Sequence, residues 1–521
     1  MKSCLLSWVA ATLLLGQTSK AQIVTSQYDN QRTGTTHSEK TLTPQNVNVR
    51  QFGRLGAFKV DGAVYAQPLF LPGVAIPGKG THNVLFVATE HGSLYAFDAD
   101  GPGTPPLWQV SLVGQAASPV PARAVACPFI EPEIAITPTP VIDLKTGTLY
   151  VLVRSMIGHP FAANEYSQHL HAIAITTGAE KFGGPKRISA SVRGRGAGTL
   201  NGQVAFDPLR ENPRASLLLV GGSVYLTWAS SCDVGPYHGW VMAYDPATLE
   251  QQAVLNVTPD GEEGGIWASD TGPAADAAGN VYVPTGNGTF DAASGGRDYG
   301  DSELKLARQG QSLAIRDYFT PYNQESISSN DADLGSSGPL LLPDGRGPHP
   351  HLLLQPTKAS MLYVIDRDHM GQFNRDGDAV VERLPMAGEA YGAMAYWNGH
   401  VFFAPSDDRL RDYALQNGKL VLSSSSSIKF ENPGATPSVS ALADQNAVVW
   451  AVSTKTWNGA DKSAVLYAFD ARDIREPIYT SEQNSERDRA ALATRFVFPV
   501  VVNGRVYFGA RGEVEVYGLL K

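Results

Sequence analysis

Cysteine is nearly missing from this 521-residue chain: Cys4, Cys127 and Cys232 are the whole complement. No Cys-x-x-Cys-His run exists, which excludes a covalently attached c-type haem. Charge is also scarce. Only 17% of residues are Asp, Glu, Lys or Arg, the formal net charge is −9, and no cationic patch interrupts the sequence. Such a balance argues against nucleic acid and against anionic membrane surfaces as partners. No long amphipathic helical pattern occurs, and no apolar run after the first 21 residues is long enough to span a membrane. What the chain has instead is glycine (52) and proline (34), as expected when many tight turns join short strands.

The first segment, Met1 to Ala21, combines an early Lys2, an apolar run from Cys4 to Gly16 and a small-x-small site at Ser19-Lys20-Ala21. This is the pattern of a secretory signal peptide, so the expected mature protein is exported, periplasmic or extracellular. Cleavage leaves Cys127 and Cys232. In an exported protein these form either one disulfide or two separate buried thiols.

An exact echo organises the rest. Leu94-Tyr95-Ala96-Phe97-Asp98-Ala99 returns letter for letter as Leu466-Tyr467-Ala468-Phe469-Asp470-Ala471. Degenerate copies lie at Leu170–Ile175, Val241–Asp245, Leu362–Asp366, Asp412–Leu415 and Val514–Tyr517, with a weaker one at Glu303–Ala307. The alternation of each copy and its stop at Asp-Ala predict a short strand. Eight units at a spacing of roughly 60 residues suit four-stranded sheets plus loops, and the expected fold is all-β: a single eight-bladed β-propeller. The expected division is a signal peptide over 1–21, an N-terminal arm over 22–51 and the propeller over 52–521. Gly53 to Val60 reads as an outer strand without a blade of its own, while the last blade lacks one. The N-terminal strand is therefore expected to complete the C-terminal blade and close the ring.

Four segments are irregular against the repeat, and propeller chemistry belongs to such places. Gly264-Gly265-Ile266-Trp267 puts a flat aromatic directly after paired glycines, at the expected start of an inner strand, where it stacks on a planar ligand or fills the core. Thr285-Gly286-Asn287-Gly288 lets backbone approach a ligand and frees an amide oxygen for a metal, or is a plain Gly-Asn-Gly turn. Asn287-Gly288-Thr289 is also formally a glycosylation sequon, discounted here because the segment reads as buried. After Thr320-Pro321, Asp331 and Asp333 stand at i and i+2, on one side of an extended segment, which suits a hard cation or an ionised base. Lys358 precedes a repeat strand and offers a cation to the channel.

The order and spacing of these segments resemble the quinoprotein alcohol dehydrogenases, which hold pyrroloquinoline quinone (PQQ) and a calcium ion at the centre of an eight-bladed propeller. In that family a GG-x-x-W-type segment supplies the Trp beneath the quinone, and a T-G-N-G or T-G-N-P segment supplies an Asn ligand of the metal; Trp267 and Asn287 match these. The family's D-x-D element after a Thr-Pro pair resembles Asp331 and Asp333, either of which can correspond to its catalytic Asp. Lys358 to Arg367 is close to the family's K-x-G-x-x-Y-V-L-D-R element, with Lys358 in the quinone-contacting place. Arg32, Leu42-Thr43-Pro44 and Asn46-Val47 resemble the family's lead-in. The resemblance implies Asp331, Asp333 and Lys358 as catalytic residues, Trp267, Asn287 and Lys358 as quinone contacts, and Asp233, Asn287 and Asp331 as calcium ligands.

Departures accompany the likeness. Asp233 stands where the family has a Glu ligand, the adjacent-cysteine disulfide over the quinone is missing, and Leu107-Trp108 is the clearest survivor of the Trp that closes each family repeat. Without a haem site, electrons need a separate acceptor. The resemblance implies oxidation of a small-molecule alcohol or sugar hydroxyl. A second reading is a non-catalytic exported propeller that binds a protein partner or serves assembly. A third, a polysaccharide lyase or hydrolase, needs a paired acid and base, for which His159, His169, His171 and His238 are the loose candidates.

Overall fold

The repeated hexamer becomes the third strand of its sheet in both places, Ser93–Asp98 and Val465–Asp470. Its terminal Asp has a physical reason. Asp98 accepts the N–H of Asp100 at 3.0 Å, Asp245 that of Ala247 at 2.8 Å, Asp366 that of Asp368 at 2.9 Å and Asp470 that of Arg472 at 3.0 Å. A carboxylate that bonds its own backbone two residues on makes the turn that ends a strand. The degenerate copies fall likewise on third strands, among them Trp240–Tyr244, Glu303–Gln309 and Met361–Asp366.

The computed structural model describes residues 21–159, 163–269, 271–455 and 463–521. The expected signal peptide lies outside the described residues except for Ala21. Strand dominates, and the longest α-helix among the described residues has six residues, Gln324–Ser329. Among the described residues no helix is long and apolar enough to cross a membrane. Antiparallel four-stranded sheets follow one another in chain order over 69–111, 141–187, 218–256, 274–319, 340–385, 395–430 and 438–480. The third and fourth meet at their outer strands, where Val254 pairs with Ser312, so hydrogen bonding joins them into eight strands. Thr35–Thr36 adds a short parallel strand to the innermost strand of the sheet over 438–480.

The final sheet is made by both ends of the chain. Phe52–Ala63 runs antiparallel to Arg505–Leu519, which pairs in turn with Val500–Val502. The N-terminal strand thus pairs where the sequence placed it, and Arg505–Leu519 doubles back on itself, with Phe508 stacked on Tyr517 at 5.7 Å, so its first half lies against Val500–Val502 and its second against Phe52–Ala63.

Core and strand pattern differ in one respect from the alternation read in the hexamer. Leu94, Tyr95, Ala96 and Phe97 are all buried, because each sheet is covered on both faces by its neighbours. The apolar core is accordingly divided into clusters between consecutive sheets. One holds Trp228, Trp240 and Tyr150, another Trp450, Tyr479 and Phe508. The last sheet packs on the first, with Phe58 stacked on Phe97 at 4.8 Å between ring centroids.

The arm ahead of Phe52 does more than lead in. Ile23 exchanges hydrogen bonds with Phe70, Val24 accepts from Ile142, and Asn30 donates to Leu219 O and accepts from Ala275. Gln31, Thr33 and Gly34 accept from Leu341, Tyr396 and Val439, and the Tyr28 hydroxyl accepts from Val501 at 2.7 Å. The partners lie in the first strands, in chain order, of the seven successive sheets named above and in Val500–Val502 of the final one. Arg32, fully buried, anchors the arm by donating to Pro273 O at 2.9 Å, Thr25 Oγ1 at 2.8 Å and Ser26 O at 2.8 Å.

Candidate functional site

Connections at one end of the sheets bring the four irregular segments together. Thr285 to Gly288 leaves the strand Val281–Pro284, and Gly264 to Trp267 lies beside it as irregular chain rather than the expected inner strand. Gly264 N donates to Asn287 O at 2.6 Å and Gly286 N to Gly265 O at 2.8 Å, which stitches the two glycine-rich segments. Gly264 has φ +77°, a conformation glycine adopts without strain. At Gly286 the reason is space: a Cβ there would stand 2.3 Å from Asp333 Oδ1 and 3.0 Å from Trp267 Nε1.

Asn287 is the centre of the arrangement. It is 6% exposed; its N–H donates to Asp333 Oδ1 at 2.9 Å and its Nδ2 to Asp331 Oδ1 at 3.0 Å. Its Oδ1 is buried and meets no hydrogen-bond donor among the described residues, and the buried Nε1–H of Trp267 meets no acceptor there. A buried amide oxygen left unpaired is expensive and marks a place for a ligand.

The Asp331–Asp333 pair is not the extended segment expected. A helix, Gln324–Ser329, precedes it, Asp331 has φ +53°, and a 3₁₀ turn, Leu334–Ser336, follows. The two carboxylates consequently separate: Asp331 is exposed and Asp333 buried. Lys358 also sits in a turn, between Leu352–Pro356 and Met361–Asp366, rather than on an inner strand. Its Nζ nevertheless reaches both acids, 2.7 Å from Asp331 Oδ2 and 3.7 Å from Asp333 Oδ2, while its N–H donates to Asp333 O at 3.0 Å.

Asp233 lies on the same cavity wall. Its Oδ1 accepts from the Tyr237 hydroxyl at 2.6 Å and from Ser230 Oγ at 3.3 Å. Cys232, next to it, is disulfide-bonded to Cys127 across 105 residues, which resolves the choice between a bridge and two thiols.

A cavity of about 450 Å³ is lined by Asp233, Trp267, Asp331, Asp333 and Lys358, with Arg214, Arg495, Phe129, Tyr391 and Phe496 on its remaining sides. Two guanidiniums, those of Arg214 and Arg495, stand 4.4 Å from the Phe496 ring centroid, and Arg495 is 4.6 Å from that of Phe129. Phe496 itself has φ +63°, unusual for a bulky side chain and of the kind that gathers at functional sites.

Burial governs the electrostatics, and like charge adds to it. Burial raises Asp333 to about 6, opposed by the Asn287 N–H and Lys358 and reinforced by Asp233 and Asp331. Asp233 is raised by removal from water, and Asp331 adds to this against Tyr237 and Lys358. Glu263, which no sequence motif singled out, is raised to about 7 by burial and then by Asp233, Glu262, Asp333 and Asp331. Its signal was present as Glu262-Glu263 ahead of the paired glycines. Arg214 and Arg495 were also missed, since isolated arginines in loops carry no motif.

Asp331 and Asp333 at Lys358, with Asp233 on the same cavity wall and the amide oxygen of Asn287 behind them, offer oxygen donors of the kind a hard cation takes. Among the described residues no three His, Cys, Asp or Glu side chains converge on one ion position by themselves. The donor set that fits is thus mixed, with Asn287 Oδ1 as its neutral member. The histidines take no part. His238 bonds Thr258 Oγ1 at 3.0 Å and Ala197 O at 2.9 Å, His171 bonds Glu180 at 2.8 Å, and His169 packs 6.4 Å from His171 between ring centroids. None of these three lines the cavity, nor does His159.

No protein-family model matches the chain, and no curated protein matches it in sequence. Solved structures do. The chain is similar to the quinohemoprotein alcohol dehydrogenase ADHIIG of Pseudomonas putida HK5 at 15% identity and TM-score 0.62, covering 96% of this chain and 80% of that one. The quinohemoprotein alcohol dehydrogenase of Comamonas testosteroni gives 14% identity and TM-score 0.63, over 95% and 80% of the two chains. A europium-containing methanol dehydrogenase gives 13% and 0.58, over 96% and 98%. These likenesses are of fold alone, that of an all-β propeller.

Proposed function

We propose that this chain is an exported quinoprotein oxidoreductase that oxidises an alcohol or sugar hydroxyl, built as one closed ring of eight blades. The arm supports the ring, since a segment of some dozen residues reaches the innermost strands of all eight sheets only if these surround one axis. Export is supported by the leader-like first 21 residues and by the Cys127–Cys232 bridge, which suits an oxidising compartment.

The observation that carries the function is Asn287: a buried amide oxygen without a partner among the described residues, on a side chain bonded to Asp331 and a backbone bonded to Asp333, directly behind a cavity lined by those two acids with Asp233, Trp267 and Lys358. Asn287, Asp233 and Asp331 are the residues to hold a calcium ion, and Trp267 is the surface on which PQQ stacks. The quinone, polarised by the cation, supplies the acceptor for a hydride from the substrate carbon. Every other role falls to this chain. Asp331, exposed to the cavity, is placed to take the proton of the substrate hydroxyl, whereas Asp333 is buried and committed to the Asn287 N–H. Lys358 fixes both acids and supplies positive charge where negative charge develops. Electrons then pass to a separate acceptor.

The test is to add PQQ and calcium to the purified protein, follow tryptophan quenching, and supply alcohols or sugars with an artificial dye. Quenching and substrate-dependent dye reduction are expected. Absence of both overturns the proposal.

A further inference from the structure

This inference rests on the reading above, because it concerns one ligand of its cation. Asp233 belongs to a segment with little to hold it in place. Cys232 and Asp233 both have left-handed backbone, φ 53° and 52°, in residues that carry side chains. Such a conformation persists where surroundings over-determine it. The hydrogen bonds found here are local: Asp233 N to Ser230 Oγ at 3.0 Å, Val234 N to Ser231 O at 3.3 Å and the Tyr237 hydroxyl to the carboxylate. The covalent link to a distant element is the disulfide. Cys127 is buried in an apolar cluster with Val120, Val125, Ile130 and Ile134, in the connection between the first and second sheets, while Asp233 follows a strand of the third.

We infer that the Cys127–Cys232 disulfide is a positioning device for Asp233. Closed, it bolts residues 231–235 to that cluster and keeps the carboxylate on the cavity wall, within electrostatic reach of Asp331 and Lys358. Opened by a dithiol, the S–S bond breaks, two cysteine thiols form, and the dithiol is oxidised to its own cyclic disulfide. The 231–235 segment is then free to relax, and the cation loses a ligand.

Calorimetric titration of the full chain with calcium alone tests this, with and without dithiothreitol, in the wild type and in Asp233→Asn. Reduction is expected to weaken calcium binding at least about tenfold in the wild type, the range seen when the support of a ligand is removed. In Asp233→Asn, already weaker, reduction is expected to change affinity no further, although it lowers the melting temperature in both proteins. C127S/C232S is expected to behave as the reduced wild type; if it does not fold, reduced wild type carries the test. Equal calcium affinity in the two redox states, or an equal loss in Asp233→Asn, overturns the tether and leaves the cation reading standing. Failure of oxidised wild type to bind calcium overturns both.

Discussion

A single unpaired oxygen on Asn287 separates a ligand-binding cavity from a packed loop. Asn287→Ala removes that oxygen together with one neutral-to-charged hydrogen bond, so stability is expected to fall by only about 1–2 kcal/mol. Calcium affinity is expected to fall at least about tenfold by the same titration. A variant as tight as wild type would show that the cation, if bound, sits elsewhere. A second residue-scale expectation concerns Glu90, fully buried, which accepts from Ala135 N at 2.8 Å while its Oε1 has no partner. Burial raises it from 4.5 to about 7. The native state therefore holds a proton that the unfolded chain has released between those values, so this group makes stability fall as pH rises from about 4.5 to 7. Denaturant unfolding of Glu90→Gln across that window is expected to show a flatter pH dependence than wild type. An unchanged slope would show that Glu90 ionises normally. As for legibility, Trp267, Asn287, Asp331, Asp333 and Lys358 were found from motif and spacing. Glu263, Arg214 and Arg495 were not, because tertiary packing that no local pattern encodes brings the two arginines to the cavity and Glu263 within electrostatic reach of its acids.

At the level of the element, the strand repeat was readable since its Asp stop is a local device, a carboxylate bonding its own turn. The turn before Asp331 and the separation of its carboxylate from that of Asp333 were not, because the bend of a connection depends on its neighbours. The arm shows the same limit. Its Arg32 was noticed only as a likeness of sequence, yet it is the arm's buried anchor. Burial lowers the Arg32 pKa to about 10, with Asp29 opposing. Arg32→Ala takes the guanidinium from the oxygens of Thr25, Ser26, Leu217 and Pro273, and a loss of about 3–5 kcal/mol is expected in equilibrium unfolding. A loss below 1 kcal/mol would mean that the arm docks without it.

For the whole molecule, the proposed ring makes a plain geometrical demand. Electron microscopy of the purified protein, viewed down the axis, is expected to show eight sheets around a plugged centre; seven or nine would overturn the blade count. Fold and cofactor chemistry are separable at this scale. At 13–15% identity the solved structures fix a propeller, and the cavity residues alone bear on what it does.

The arm has a further consequence, in time rather than in space. Tyr28 waits for Val501, 473 residues downstream, and its neighbours wait for every sheet between. Contacts of such separation are the slow ones to form. The arm, made early, is thus among the last segments to be satisfied in full, and a chain interrupted before Val501 still carries part of it unsatisfied, open to a chaperone or a protease.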